Sequence, residues 1–197
     1  DPADYLDMRA NPGYHIGING DGAATLLANI YTVEFHPNGG SSSIYEQRFF
    51  YDMPGKLTPN KFTRTGYTFA GWSAGNTTYT DGQEVKNLTA ENNGVIALVA
   101  QWQANTYNVT LNPNGGSINS GDVTSYTYGT SKELPTDVTR TGYTFQGWYD
   151  NESLTGSPAT RITAADLGDK AFWAKWYYIS DTSTYSVILP DTVEGGK

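Results

Sequence analysis

The sequence predicts a mainly β protein, α+β at most, assembled from small repeated units. Three observations carry this expectation. First, the chain repeats itself: Tyr31-Thr-Val-Glu-Phe-His-Pro-Asn-Gly-Gly40 returns as Tyr107-Asn-Val-Thr-Leu-Asn-Pro-Asn-Gly-Gly116, and Thr63-Arg-Thr-Gly-Tyr-Thr-Phe-Ala-Gly-Trp72 returns as Thr139-Arg-Thr-Gly-Tyr-Thr-Phe-Gln-Gly-Trp148. Both recur at one shift of 76 residues, 31 to 107 and 63 to 139, so two distant motifs share a register and mark a duplicated module. Second, apolar residues alternate with period two in the repeated segments. Third, Pro, Asn and Gly punctuate them.

The opening strand comes first. Tyr31, Val33 and Phe35 alternate with Thr32 and Glu34, as Tyr107, Val109 and Leu111 do with Asn108 and Thr110. One apolar face at period two is a half-buried strand. Pro37-Asn-Gly-Gly40 and Pro113-Asn-Gly-Gly116 stop it, because Asn-Gly and Gly-Gly supply the positive φ of a tight reversal. Second strands are expected over 44–51 and 123–128. A short helical turn ended by proline is expected at 55–59 and at 129–135. The third strand is Tyr67-Thr-Phe-Ala-Gly-Trp72, with Tyr143 to Trp148 as its copy. Its Trp falls out of phase with Tyr67 and Phe69, so the preceding glycine signals a bulge or the close approach of another backbone. The closing strand spans 96–102 and 170–176, where Leu98, Ala100 and Trp102 alternate as Phe172, Ala174 and Trp176 do.

These boundaries give a partial or degenerate preceding unit over 1–30, repeat unit 1 over 31–106, repeat unit 2 over 107–183, and the start of a following unit over 184–197. Units this small bury a limited share of their surface, and aromatic residues compensate because each covers a large area. Here 14% of the chain is aromatic and 15 residues are Tyr, enough for each unit to build its own core. Lys and Arg number 12 against 20 Asp and Glu, a net charge of −8, which opposes nucleic acid and anionic membranes as partners. The absence of cysteine excludes disulfides, thiolate metal sites and thiol nucleophiles. No apolar run approaches the ~20 residues that span a bilayer, so no membrane insertion is expected. The chain starts at Asp1 without an initiator Met and reads as a piece of a longer, exported protein.

Together the three motifs resemble the Listeria–Bacteroides repeat family, also called internalin B-repeat-like. The family pattern is an opening Tyr-x-Val-x-Phe-x-x-Asn-Gly-Gly, a central Arg-x-Gly-Tyr-x-Phe-x-Gly-Trp and a closing aromatic-Ala-Lys-Trp. The first stands at 31–40 and 107–116, and the second at 64–72 and 140–148. The third is whole at Trp173-Ala-Lys-Trp176 and altered at Val99-Ala-Gln-Trp102, where Gln101 replaces the lysine. The resemblance implies tandem β-grasp-like units, similar in shape to ubiquitin, in an extended array on bacterial surface proteins. It carries over no catalytic residue and no cofactor.

Each candidate site is weighed against a plain packing role. Trp72, Trp148, Trp102 and Trp176 sit at matching positions in strong motifs, which is what a small core needs, so packing outweighs sugar stacking. Trp173 differs, because its counterpart is Val99 and it lies on the strand face opposite Phe172 and Trp176. With Tyr177 or Tyr178 it is the candidate binding aromatic, and a contact between units explains it equally well. Arg64 and Arg140 could bind a carboxylate ligand bidentately, but pairing with a carboxylate or backbone carbonyls of their own unit is favoured. Asp1, Asp4, Asp7 and Asp21 read as a solvated acidic face rather than a Ca²⁺ site. His15 and His36 lack a surrounding motif, and Asn112 replaces His36 in the copy, so no metal site is expected. Lys132, Lys170 and Lys175 are poor candidates for an internal Lys–Asn isopeptide bond. Leu189-Pro-Asp-Thr192 resembles a sorting signal but reads better as a strand end.

The expected function is therefore that of a non-catalytic structural or adhesive segment of a bacterial cell-surface or secreted protein, a stalk or a protein-binding module. The alternative is a carbohydrate-binding accessory module of a secreted glycosidase. Expected partners are a host or matrix protein, a glycan, and neighbouring repeat units. An acid–base hydrolase is disfavoured, because no carboxylate recurs in both copies within a shared motif: Glu34 matches Thr110, and Asp150 matches Ala74.

Overall fold

The computed structural model describes residues 12–179. Asp1, Asp4 and Asp7, the tetrapeptide at 189–192 and the whole of the expected following unit lie outside the described residues. Among the described residues every regular element is a strand. They are β1 (Tyr14–Ile18), β2 (Ala24–Ala28), β3 (Ile30–His36), β4 (Tyr45–Phe50), β5 (Gly55–Lys56), β6 (Tyr67–Ala74), β7 (Thr77–Tyr79), β8 (Glu84–Val85) and β9 (Gly94–Ala104). Then come β10 (Thr106–Asn112), β11 (Ser117–Ile118), β12 (Ser125–Thr127), β13 (Lys132–Glu133), β14 (Val138–Thr139), β15 (Tyr143–Tyr149), β16 (Arg161–Ile162) and β17 (Lys170–Tyr178). The fold is mainly β, as the alternation and punctuation predict.

The described residues divide into two compact units: the first holds 12–106 together with 127–129, and the second holds 107–126 and 130–179. In the first unit a five-stranded sheet runs in the order β4-β3-β9-β6-β7. β3 pairs antiparallel with β4 and parallel with β9, while β6 pairs antiparallel with β9 and β7. The second unit has the order β12-β10-β17-β15, again with the opening and closing strands, β10 and β17, paired in parallel. A parallel pair cannot be closed by a tight turn, so everything between the opening and closing motifs is the crossover that joins them.

The helical turns expected at 55–59 and 129–135 are absent. Gly55–Lys56 pairs antiparallel with Glu84–Val85, and Lys132–Glu133 pairs with Arg161–Ile162. The sequence hides this because two-residue ladders between distant segments leave no periodicity to read. The glycine before each motif Trp does form the expected bulge: the register slips between Phe69 and Gly71 against β9, and between Phe145 and Gly147 against β17. Gly71 has φ +124, and a Cβ there would stand 2.7 Å from the Tyr79 carbonyl. Gly147 has φ +123, with Pro158 Cβ 2.5 Å from the corresponding position. Both the dihedral and the close approach thus require glycine.

The bulge turns each Trp inward. Trp72 is 0% and Trp148 2% exposed. Around Trp72 pack Phe35, Phe62 and Phe69, with ring centroids 4.9, 6.0 and 4.8 Å away. The second core is less aromatic, with Leu111 and Val138 where the first has Phe35 and Phe62. The two indoles also differ in polar pairing. Trp148 Nε1 donates to the Pro135 carbonyl at 2.8 Å. In the first unit the matching Pro59 carbonyl accepts from the Tyr45 hydroxyl at 3.2 Å, and Trp72 Nε1 meets no acceptor among the described residues. Burial pushes the Tyr45 phenol up to about 12, so it stays a donor across the physiological range.

The β1–β2 hairpin is fastened to the rest of the first unit by the buried Asn29. Its amide donates to the Ala90 carbonyl at 2.7 Å, its side-chain oxygen lies 2.8 Å from His15 Nδ1, and its backbone links Gly13 to Tyr51. Asp52 adds a second tie. It accepts hydrogen bonds from Asn87 Nδ2 (2.9 Å) and the Tyr14 hydroxyl (2.8 Å), and Lys86 Nζ lies 3.1 Å away. These donors lower its pKa to about 2.

Two outcomes are expected. A folded pKa below the unfolded value makes Asp52 stabilising above the unfolded carboxylate range, and that contribution is lost as pH falls from about 4 through about 2. Denaturant titrations between those pH values will show a steeper acid loss in the wild type than in Asp52→Asn. Trp148→Phe strands the Pro135 carbonyl whereas Trp72→Phe strands no hydrogen-bonded partner, so the former costs about 1 kcal/mol more, read from the unfolding midpoints of the two variants.

Candidate functional site

Residues from all three recurrent motifs meet at one place, the Pro-Asn-Gly-Gly turn after the opening strand. Asn38 and Asn114 take φ of 46 and 48, and Gly39 and Gly115 φ of 78 and 82, the left-handed pair that Asn-Gly accommodates. The Asn38 amide reaches across to donate to the Ala100 carbonyl at 2.8 Å, and Asn114 does the same to Ala174 at 2.8 Å. The closing Trp covers the turn: Trp102 Nε1 donates to the Pro37 carbonyl at 2.9 Å, and Trp176 Nε1 to Pro113 at 2.8 Å. Its ring lies against the second glycine, where a Cβ on Gly40 would stand 2.8 Å from Trp102 Cζ2 and one on Gly116 would collide with Trp176 Cζ2.

The central motif supplies the third contact. Arg64 Nη1 donates to the Asn38 carbonyl at 3.3 Å, and Arg140 Nη1 to Asn114 at 2.9 Å. Each guanidinium lies over the tyrosine three residues on, Arg64 at 4.1 Å from the Tyr67 ring centroid and Arg140 at 3.9 Å from that of Tyr143. Its atoms also lie 3.4–3.7 Å from a Cβ position on Gly39, and 3.5–3.6 Å from one on Gly115. The side chain is held between an aromatic ring and a bare backbone, which fixes the guanidinium plane. Of the two structural roles expected for this arginine, the structure has the backbone-carbonyl one. The ion pairs found among the described residues involve His36, Lys86, Arg161 and Lys170, and neither motif arginine.

Sequence spacing assigned each motif to its own strand. It did not place the three at a single turn, and the exchange of partners is what it missed. The available signal was that Asn, Arg and Trp recur together in both copies.

The other candidates are scattered. Trp102 and Trp176 are half-buried, each facing the central Phe, with centroids 5.6 Å apart for Phe69–Trp102 and 5.3 Å for Phe145–Trp176. Trp173 is half-buried and lies across the sheet from Tyr149. Tyr177 is 70% and Tyr178 60% exposed. Tyr178 meets Tyr143 edge-on at 5.3 Å, and strand alternation puts it on the face opposite Trp173 and Tyr177. Lys175 projects between Trp173 and Tyr177, its Nζ 4.9 Å from the Tyr149 ring centroid and donating to the Leu154 carbonyl at 3.2 Å. The three aromatics therefore do not form one platform. His36 Nε2 lies 3.1 Å from Glu34, Lys170 pairs with Asp166 at 3.0 Å, and Lys132 stands exposed on β13. Asp21 stands in the exposed turn between β1 and β2.

The glycine contact gives a clean test. A Cβ at Gly40 meets an indole and two backbone carbonyls, and one at Gly116 an indole and the Thr139 carbonyl, so Gly40→Ala or Gly116→Ala will destabilise its unit by about 1–3 kcal/mol. Gly20→Ala, with open space around it, will stay within about 0.5 kcal/mol of the wild type in the same denaturation experiment.

Comparison with known proteins bears on what this arrangement is for. The family model of the Listeria–Bacteroides repeat domain matches twice, over residues 31–101 and 107–175. Two relatives from Evansella cellulosilytica, described as a Gly-rich membrane protein and a membrane protein, are 33% identical over 81% of this chain and 32% identical over 75% of it. Internalin H of Listeria monocytogenes is 36% identical over 51% of the chain. The matched regions cover 17%, 21% and 19% of those three proteins, so the chain spans about a fifth of the curated relatives it matches. No solved structure matches the chain.

Proposed function

This chain belongs to the Listeria–Bacteroides repeat family, and from that premise we propose that it is a non-catalytic structural and adhesive segment of a bacterial cell-surface protein. The observation that carries the reading is where the recurrent residues go. Asn, Gly, Arg and Trp of the three motifs hydrogen-bond or pack against one another at the turn in both units. Residues spent on closing a fold make a building unit that can be copied, as in repeat arrays generally. The strand order β4-β3-β9-β6-β7, with its central parallel pair, supports a β-grasp-like unit in which the crossover carries short ladders in place of a helix. Surface location is supported by the relative named internalin and by the two described as membrane proteins. As a segment of a longer protein, the chain would hold a binding domain away from the surface or engage a host or matrix partner itself. A carbohydrate-binding accessory role is the second reading, favoured by the exposure of Tyr177 and Tyr178.

Antibody raised against this chain is expected to label intact, unpermeabilised bacteria that express the parent protein. Labelling that appears only after permeabilisation would refute the surface assignment.

A further inference from the structure

We propose that the turn of each unit is a binding site for the carboxylate of a uronic acid within a largely neutral glycan, with Arg64 and Arg140 as the anchoring residues. The inference deepens the adhesive reading above and rests on it for the cellular setting, but its chemistry stands on the turn alone.

Arg64 is half-buried with its plane fixed between Tyr67 and Gly39, yet the hydrogen bond it makes is a long one, 3.3 Å to the Asn38 carbonyl. A guanidinium carries more N–H donors than that bond uses. No carboxylate of the described residues lies within ion-pair distance of it. A cation held rigid without a counter-ion is pre-organised for a planar, bidentate acceptor, because the rotamer entropy of the long side chain is already spent. Arg140 likewise lies over Tyr143 and beside Gly115 with no carboxylate of the described residues within ion-pair distance, although its bond to the Asn114 carbonyl is shorter, 2.9 Å.

The surroundings select a sugar acid over other anions. Arg64 lines an open hollow with Gly39, Ser41, Thr63, Thr65 and Tyr67. Ser41, Thr63 and Thr65 are exposed, and the Ser41 and Thr63 hydroxyls are 2.7 Å apart, one donating to the other. The second unit has Ser117, Thr139, Thr141 and Tyr143 at the matching positions. A wall of neutral hydroxyls around one cation matches a ring that bears one carboxylate among several hydroxyls. It is poorly matched to a dense polyanion, which the chain's net charge of −8 would repel.

The test is calorimetric titration of the whole chain with a glucuronate–glucose disaccharide, its methyl ester, the neutral glucose disaccharide and a short glutamate peptide. The acid is expected to bind two sites per chain, with the ester and the neutral sugar at least about tenfold weaker. Arg64→Gln and Arg140→Gln are each expected to remove one site, with circular dichroism and melting verifying the fold. If a variant unfolds, the ester comparison on the wild-type chain still decides. Absence of binding by the acid up to on the order of 10 mM would overturn the proposal, as would equal binding of the ester. Equal or tighter binding of the glutamate peptide would overturn the sugar assignment. None of these failures touches the antibody labelling result, so the surface reading and the site stand or fall separately.

Discussion

The left-handed Pro-Asn-Gly-Gly turn is the constraint on which each unit depends. Within it the second glycine's N–H donates to the Pro carbonyl, and side chains from elsewhere supply the further partners of its backbone groups. The Pro carbonyl is taken by the closing Trp and the Asn carbonyl by the central Arg, while the Asn amide reaches the backbone of the closing strand. The three motifs are thus one interaction seen from three positions in the chain. Replace the glycine beside the Trp ring and the indole cannot approach, which breaks its hydrogen bond to the Pro carbonyl.

That dependence explains how so small a unit stays closed. Opening and closing strands run parallel at the centre of the sheet, and the turn fastens the end of one to the end of the other. The bulge at Gly71 and Gly147 sends the neighbouring Trp into the core, and Phe69 and Phe145 bridge that Trp to the one on the closing strand. Burial and hydrogen bonding therefore cooperate: the Trp that seals the turn is half-buried against the Phe that backs the core. The two copies reach this by different fillings. Aromatic stacking around Trp72 gives way to Leu111 and Val138 around Trp148, while the indole gains the hydrogen bond that Trp72 lacks.

The same arrangement leaves a cation in an unusual position. A structural role for the motif arginine needs only a backbone carbonyl, and that is what it has. The tyrosine beneath it and the glycine beside it hold the guanidinium still, and no carboxylate of the described residues neutralises it. Structural rigidity and the proposed carboxylate site draw on one set of contacts.

The period of 76, the alternation of Tyr31, Val33 and Phe35, the punctuation at Asn38-Gly39 and the out-of-phase Trp72 were all written in the chain. They were legible because each is a local rule of backbone geometry or side-chain direction. The two-residue ladders at Gly55 and Lys132 are not legible, and their segments read locally as helical turns, since their partners lie about 30 residues away with no pattern to announce them. Nor could spacing show that Asn, Arg and Trp exchange hydrogen bonds at one turn, that Tyr178 faces away from Trp173, or that the arginine goes without a carboxylate. The sequence by itself determined strands, bulge and turns, because these follow from nearest neighbours. Only the tertiary structure decided which distant side chains satisfy the turn, because that depends on the parallel pairing that brings the closing strand beside the opening one.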